Sequence, residues 1–333
     1  MIRRPVRHSN KWDPKSKSKL NTSYCCICEK SIWSDEVVCT TFNGMIYQPV
    51  PDYHMHTPRC HHASGTVREF AQAAMALGMK EIGMSDHSPM PNGYMDDWRM
   101  DPAELHSYLT EVEKVRDTLA RKLCVRIGLE ADFRLGSEAG LKRLLKLYDW
   151  DFIIGSVHYI GDWDFDNPSK LSQWDKVGVE EVYCAYFDLV GKSAVSGMFD
   201  IIGHPDLIKK FGHRPPDGSK RVLQAEEAML QAVKKSGCAL EISSAGLRKP
   251  VGEIYPHPRI VARAAELGIP FAYGSDAHGP DAVGHGMDEC LSLLESCGVH
   301  EVCVFKGRKR SMQPIVRAKV KQSRVSHAKD RQA

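Results

Sequence analysis

No apolar run in this chain approaches the roughly 20 residues that a membrane-crossing helix needs. The N-terminus is basic and polar through RRPVRHSNKWDPKSKSKL and lacks the apolar core of a secretory signal. Neither GxGxxG nor GxxxxGK[ST] occurs, so the glycine-rich turns that cradle dinucleotides and nucleoside triphosphates are missing. There is also no DxDxT segment to supply an aspartyl nucleophile and no P-loop cysteine motif to supply a thiol. Their absence supports direct attack by water in any hydrolysis. The eleven cysteines follow no regular framework. Cys25 and Cys28 have CxxC spacing, with Cys26 and Cys39 nearby, but the second half of a zinc knuckle is absent, which argues against a metal role. Cys124, Cys184, Cys238 and Cys303 sit among apolar neighbours and read as small hydrophobes. This usage points to the cytoplasm.

What is present starts with an uneven charge. The net of +3 hides two basic ends: residues 1–50 hold eight Lys/Arg against four acids, and 306–333 hold ten against one. That leaves 27 bases and 37 acids, a net of −10, in residues 51–305. An acidic middle disfavours nucleic acid as its substrate and suits bound cations. Residues 1–44 read as a basic, disordered extension, and translation starting at Met45 would explain them as an over-extended reading of the gene. Residues 307–333 read as a basic, passive tail, with binding of RNA or an acidic partner through KGRKRSMQPIVRAKVKQSR as the alternative.

Between these ends, 45–306, short apolar segments alternate with amphipathic ones. IYQPVPDY, KEIGMS, CVRIGL, DFIIGSV, FDIIG, CALEIS and PFAYGS are candidate strands, with VCVF as a possible eighth. Helical patterns fall at about 66–78, 102–122, 137–148, 179–195, 219–236, 257–267 and 285–297. In the first, Val67, Phe70, Ala71, Ala74 and Leu77 form one apolar face. This alternation predicts an α/β fold, a TIM-like (β/α)7-8 barrel.

Histidines and acids cluster just after the strands, in HMHTPRCHH, SDH, GLEAD, GSVH, GHPD and GSDAH. In such barrels the functional groups project from the C-terminal strand ends. His54 and His56 share a face because strand side chains alternate, and Asp276 and His278 repeat the arrangement. Imidazoles with a few carboxylates are the donor set of a multinuclear Zn, Mn or Fe site. His61 and His62 are equivalent by spacing alone. His106, His213, His285 and His300 read as ordinary surface or loop histidines.

The order HxH, a later His in the same loop, DH, GxE, SVH, GHP and SDAH resembles the polymerase and histidinol phosphatase (PHP) family of metal-dependent phosphoesterases. The flanks HTPRCHHASG, SDHSPMP, GLEADF, FIIGSVHYIGDWDFDNP, GHPDLIKKFG and EISSAGLRKPVGEIYPHP are most similar to its monofunctional histidinol-phosphatases. The resemblance covers about residues 50–306. It implies a distorted barrel, often of seven units, holding two to three divalent ions, and it selects His62 over His61. His54, His56, Glu130 and Asp276 would hold one ion. Glu130 would bridge to a second held by His158 and His204. A third would take His62, His87 and His278.

It further implies hydrolysis of L-histidinol phosphate in histidine biosynthesis, with attack by a water that would bridge the metals and have its pKa lowered toward about 7. Asp276 or His257 would protonate the leaving oxygen. Arg248 is the best phosphate clamp, because guanidinium matches phosphate oxygens bidentately, with Lys209, Lys210 and Lys249 behind it. Asp162, Trp163 and Asp164 are candidate partners for the amine and imidazole. The alternatives are the same fold acting on a nucleotide or oligonucleotide end, an amidohydrolase, and a non-catalytic binding module.

Overall fold

The alternating apolar segments become strands and helices that take turns along the chain in a computed structural model, which describes residues 46–91 and 96–318. The strands are β1 (Glu81–Met84), β2 (Cys124–Asp132), β3 (Phe152–Ser156), β4 (Tyr159–Ile160), β5 (Trp163–Asp164), β6 (Ile201–Ile202), β7 (Ala239–Ser243), β8 (Phe271–Gly274), β9 (Glu301–Lys306) and β10 (Lys309–Pro314). The helices are α1 (Val67–Ala76), α2 (Leu105–Leu119), α3 (Glu138–Leu145), α4 (Val179–Val195), α5 (Lys220–Ser236), α6 (Pro258–Glu266) and α7 (Met287–Ser296). Each of the predicted helical patterns contains one of them. Local chemistry sets their starts. Thr66 and Glu69 make a reciprocal capping box before α1, Ser219 caps α5, and Pro258 occupies the first turn of α6.

Six strands form one parallel sheet in the order β1-β2-β3-β6-β7-β8. Its two edges are joined by residues 52–56. On one side, the amides of Gly83 and Ser85 donate to Asp52 O and Met55 O. On the other, the amides of Tyr53 and His56 donate to Tyr273 O and Ala277 O, and the Ala277 amide donates to His54 O. The predicted first strand thus closes a ring of seven parallel segments.

Side-chain alternation splits the core in two. Ile153 belongs to the large layer between strands and helices, whereas Phe152 and Ile154 join Tyr53, Ile201, Ala239 and Ala272 inside the ring. Cys303 and Phe305 of β9 belong to this inner cluster, so the antiparallel hairpin β9–β10 packs against the barrel interior. The Phe305 amide donates to Tyr53 Oη at 3.0 Å.

The hairpin changes two expectations. VCVF is not an eighth barrel strand, since it pairs only with β10 and has no crossover helix after it. Residues 309–314, placed in the predicted tail, are its second strand. The expectations for residues 1–44, including Cys25, Cys26, Cys28 and Cys39, and for 319–333 lie outside the described residues. Among the described residues no helix is long and apolar enough to cross a membrane.

Candidate metal centre

The strand ends bring all nine predicted ligand residues to one place. His54 and His56 project to the same side of their extended segment, and both are fully buried. Beyond β1, His87 pairs with Glu130 in an isolated parallel bridge, which sets its imidazole beside the end of β2. Glu130 stands at the centre. Its Oε1 lies 2.9 Å from His204 Nε2 and 3.6 Å from His158 Nε2. Its Oε2 lies 2.7 Å from His87 Nδ1, 3.3 Å from His54 Nε2 and 3.6 Å from His56 Nε2. Asp276 Oδ1 faces His56 Nε2 at 3.1 Å, His278 Nδ1 at 3.4 Å and His54 Nε2 at 3.8 Å. The His62 ring centre is 4.5 Å from that of His278. Asp276 takes a φ of 52°, a left-handed conformation costly for a residue with a side chain and characteristic of functional sites.

The donor atoms fit cations. His54 Nε2, both nitrogens of His56, His87 Nδ1, Glu130 Oε2, His204 Nδ1 and His278 Nε2 are buried without a hydrogen-bond partner. Leaving such groups unsatisfied costs about 1–3 kcal/mol each. The same residues converge in sets in which one ligand atom of each lies within 4.8 Å of the others: His54–His56–Asp276, His54–Glu130–His204 and His56–His87–His278. Divalent ions held there would engage one ring nitrogen of each imidazole and the carboxylate oxygens. The first two sets match parts of the partition implied by the resemblance. The third exchanges His62 for His56.

Protons respond to the same crowding. Burial opposes ionisation of Glu130, but the imidazoles of His54, His87 and His158 hold its carboxyl well below the usual range. Asp276 is likewise held well below its usual range, against burial, by His278, His54 and His56. His158 is pushed up to about 9: burial works against its cation, and Asp132 and Glu130 outweigh it. Burial keeps His87 and His278 well below the usual imidazole value. His87 Nδ1, close as it is to Glu130, has no aligned hydrogen bond there.

Three acids behind the ligands were not singled out in the sequence. Glu241 Oε1 lies 2.6 Å from His54 Nδ1, and its Oε2 accepts the His204 amide at 2.5 Å. Gly274 makes room for it, since a Cβ there would meet Glu241 Oε1 and approach His54 Cβ to 2.8 Å. Asp132 Oδ1 lies 2.8 Å from His158 Nδ1, while its Oδ2 pairs with buried Arg99 at 2.8 Å. Asp86 accepts the amides of Thr57 and His87 at 3.1 and 2.9 Å. Such partners orient an imidazole and fix its tautomer. The available signal was an acid inside an apolar strand, as in CALEIS, which burial permits only with a partner. Trp98 adds an aromatic edge, 5.0 Å from His87 and 5.2 Å from His158 between ring centres.

The remaining candidates divide. Arg248 is at the rim, its Nη2 donating to Ser275 O at 2.6 Å and Asp276 O at 3.1 Å. Lys249 has no ion pair among the described residues. Burial lowers its ammonium pKa, and Asp276 pulls the other way. Lys210 donates to Asp166 Oδ2 at 3.0 Å. Lys209 is buried and committed, donating to Asp206 Oδ2 at 2.9 Å and Ile254 O at 2.8 Å. His257 does not join the ring. It caps α6, accepting the Arg259 amide, and with Lys209 it lines a separate cavity of about 470 Å³ that none of the nine residues lines. Asp162 is exposed and paired with Arg134, and Asp164 accepts from Asn167. Trp163 packs 5.1 Å from Trp174. His213 stacks on Trp174 at 4.3 Å, away from the ring.

A family model for the PHP domain matches residues 52–245. A probable histidinol-phosphatase of Deinococcus radiodurans is 45% identical over 263 residues, which cover 79% of this chain and 98% of the relative. The histidinol-phosphatase of Bacillus subtilis is 30% identical over 267 residues, 74% of this chain and 98% of that one. Among solved structures, histidinol phosphate phosphatase of Lactococcus lactis, complexed with Zn, L-histidinol and phosphate, superposes with a TM-score of 0.66 at 22% identity, covering 78% of this chain and 98% of that chain.

Proposed function

The chain belongs to the PHP-domain family, and from that premise we propose that it is a metal-dependent phosphomonoesterase that hydrolyses L-histidinol phosphate to L-histidinol and phosphate. The observation that carries the reading is Glu130, ringed within 3.6 Å by five imidazoles at the mouth of the barrel. Relatives at 45% and 30% identity bear the histidinol-phosphatase name and are spanned almost end to end. These support the substrate and its place in histidine biosynthesis.

His54, His56, His62, His87, Glu130, His158, His204, Asp276 and His278 would hold two to three ions of Zn, Mn or Fe. When bound, the ions supply positive charge for the phosphoryl oxygens and lower the pKa of water. The protein's own groups do the rest. Arg248, pinned to the backbone of the SDAH turn, and Lys249, free of ion pairs among the described residues, supply cationic contacts to the phosphate at the rim. The proton that the attacking water loses must reach the alkoxide oxygen as the P–O bond breaks, and Asp276 is the site carboxylate proposed to relay it. Its imidazole neighbours hold its carboxyl well below the usual range, so it starts as a carboxylate and the relay works against that low affinity for a proton. Attack is by water, so no phospho-enzyme forms. Trp98 excludes water from one side and offers an aromatic wall to a heterocyclic substrate.

Phosphate release from a panel of monoesters tests this: L-histidinol phosphate, a nucleoside monophosphate, an aryl phosphate and a short 3′-phosphorylated DNA, each with Mn or Zn and with His158→Ala as control. A strong preference for L-histidinol phosphate, lost in His158→Ala, is expected. Equal rates on all esters would remove the substrate assignment, and no turnover on any would sink the enzyme reading.

A further inference from the structure

The HxH pair is followed by a single tight turn, Pro58–Cys60, started by the Thr57 side chain and by Pro58. The turn buries Cys60 completely and puts His61 in the left-handed region at a φ of 65°, after which the chain delivers His62 to the ring. His62 Nδ1 lies 2.6 Å from Cys60 O, and His278 Nδ1 lies 3.0 Å from Asp276 O. A ring nitrogen that close to a carbonyl carries the hydrogen, so each imidazole is fixed with its Nε2 lone pair free. His278 Nε2 is buried and has no hydrogen-bond partner. One ligand atom each from Cys60, His62 and His278 lie within 4.8 Å of one another.

We propose that Cys60 is a thiolate ligand of the ion held by His62 and His278, so that one position of the centre is a mixed nitrogen–sulfur site. The geometric grouping carries the assignment, and a thiolate would add one negative charge to a position whose other donors are neutral imidazoles, beside the Asp276 carboxylate. Burial and Asp86 push the metal-free Cys60 thiol up to about 12, so its proton leaves to solvent only as the ion binds. Cys60 also groups with His56 and Asp86. On that side, however, the Asp86 oxygens already accept from Thr57 and from the His87 amide, and His56 Nε2 faces Asp276 Oδ1 at 3.1 Å, so the grouping with His62 and His278 is the one left to complete. A soft sulfur donor biases this position toward Zn or Fe and away from Mn, which prefers oxygen. None of the other described cysteines belongs to such a group.

The inference rests on the metal-centre reading, and cobalt(II) separates the two. The full chain, with Cys25, Cys26, Cys28 and Cys39 changed to serine as background, is stripped with chelator and reloaded with cobalt(II). The expected spectrum has visible ligand-field bands and a near-ultraviolet sulfur-to-cobalt charge-transfer band. Cys60→Ser in the same background should keep the first and lose the second. Ligand-field bands without charge transfer in the background protein would overturn the thiolate alone. A charge-transfer band that survives Cys60→Ser would overturn it too. No cobalt bands at all would overturn the metal centre itself. Should Cys60→Ser fail to fold, zinc X-ray absorption on the background protein decides: a Zn–S distance of about 2.3 Å is expected, and a shell of nitrogen and oxygen alone refutes it.

Discussion

Glu241 holds two candidate ligands at once, through the His54 ring and the His204 amide. Glu241→Gln keeps the shape and removes the charge. It should lower metal affinity about 10–100-fold, the usual cost of losing such a partner, as read by competition with a chromophoric chelator. Unchanged affinity would mean that the carboxylate only fills space. Gly274→Ala attacks the same contact sterically, because the added methyl would stand 2.8 Å from His54 Cβ and against Glu241. Overpacking of this kind costs about 1–3 kcal/mol, so a lower chemical-denaturation midpoint together with weakened metal binding is expected. The contrast between the ligands and Glu241 shows where sequence reasoning reaches. The clustering of the nine candidate ligands was legible because nearly every one sits at or just after a strand end and several come in pairs that period-2 geometry aims at one face. Glu241 was not, because its partner is 187 positions away: an acid inside CALEIS signals that it must be paired, but nothing local says with what. For His257 and Lys209 the limit is the converse one. Their residue types suited a phosphate site, but side-chain commitments to α6, Asp206 and Ile254 are set by tertiary packing.

At the scale of elements, the seven helices and the seven barrel segments follow the periodicity closely, since both patterns are driven by burial of one face. The hairpin escaped because VCVF has the same apolar content as a buried parallel strand. The telling feature was the two-residue connection Gly307-Arg308, whose φ values of 54° and 59° are those of a tight hairpin turn rather than a crossover. The hairpin has a measurable duty. Phe305 is 3% exposed and packs edge-on to Tyr53, with ring centres 5.6 Å apart. Phe305→Ala should therefore cost about 3–5 kcal/mol, as for other buried aromatics. The candidate metal ligands lie at the C-terminal strand ends, so the variant should keep its metal stoichiometry when folded. A loss below about 1 kcal/mol by denaturant titration would show that the hairpin merely rests on the barrel. Truncation after Gly307 removes β10 and should destabilise in the same direction.

For the whole molecule, the ring of strand ends makes metal binding and folding stability one equilibrium. The ligands come from segments spread between His54 and His278, so the unfolded chain cannot present them together. An ion that binds only the folded state then stabilises it by about 2.7 kcal/mol at a free concentration 100 times its dissociation constant. Chelation should lower the melting temperature, and pH sets by how much. In the metal-free protein His158 is raised from the ordinary 6.5 to about 9 by Asp132 and Glu130, against the opposing effect of burial. The stability this imidazolium contributes is fully present below 6.5 and is lost as pH rises through about 9. An ion must displace that proton, so its apparent affinity rises by up to about tenfold per pH unit across the same window for each proton released. The two slopes oppose each other. Between pH 6.5 and 9 the metal-free melting temperature should lose the His158 contribution while the metal-loaded protein gains affinity. The gap between the two forms should therefore widen steadily. Differential scanning calorimetry on both forms at several pH values, with free metal buffered, measures it directly. A gap that stays constant or narrows toward pH 9 would mean that the imidazoles shed no protons on binding, and would place the cations away from His158.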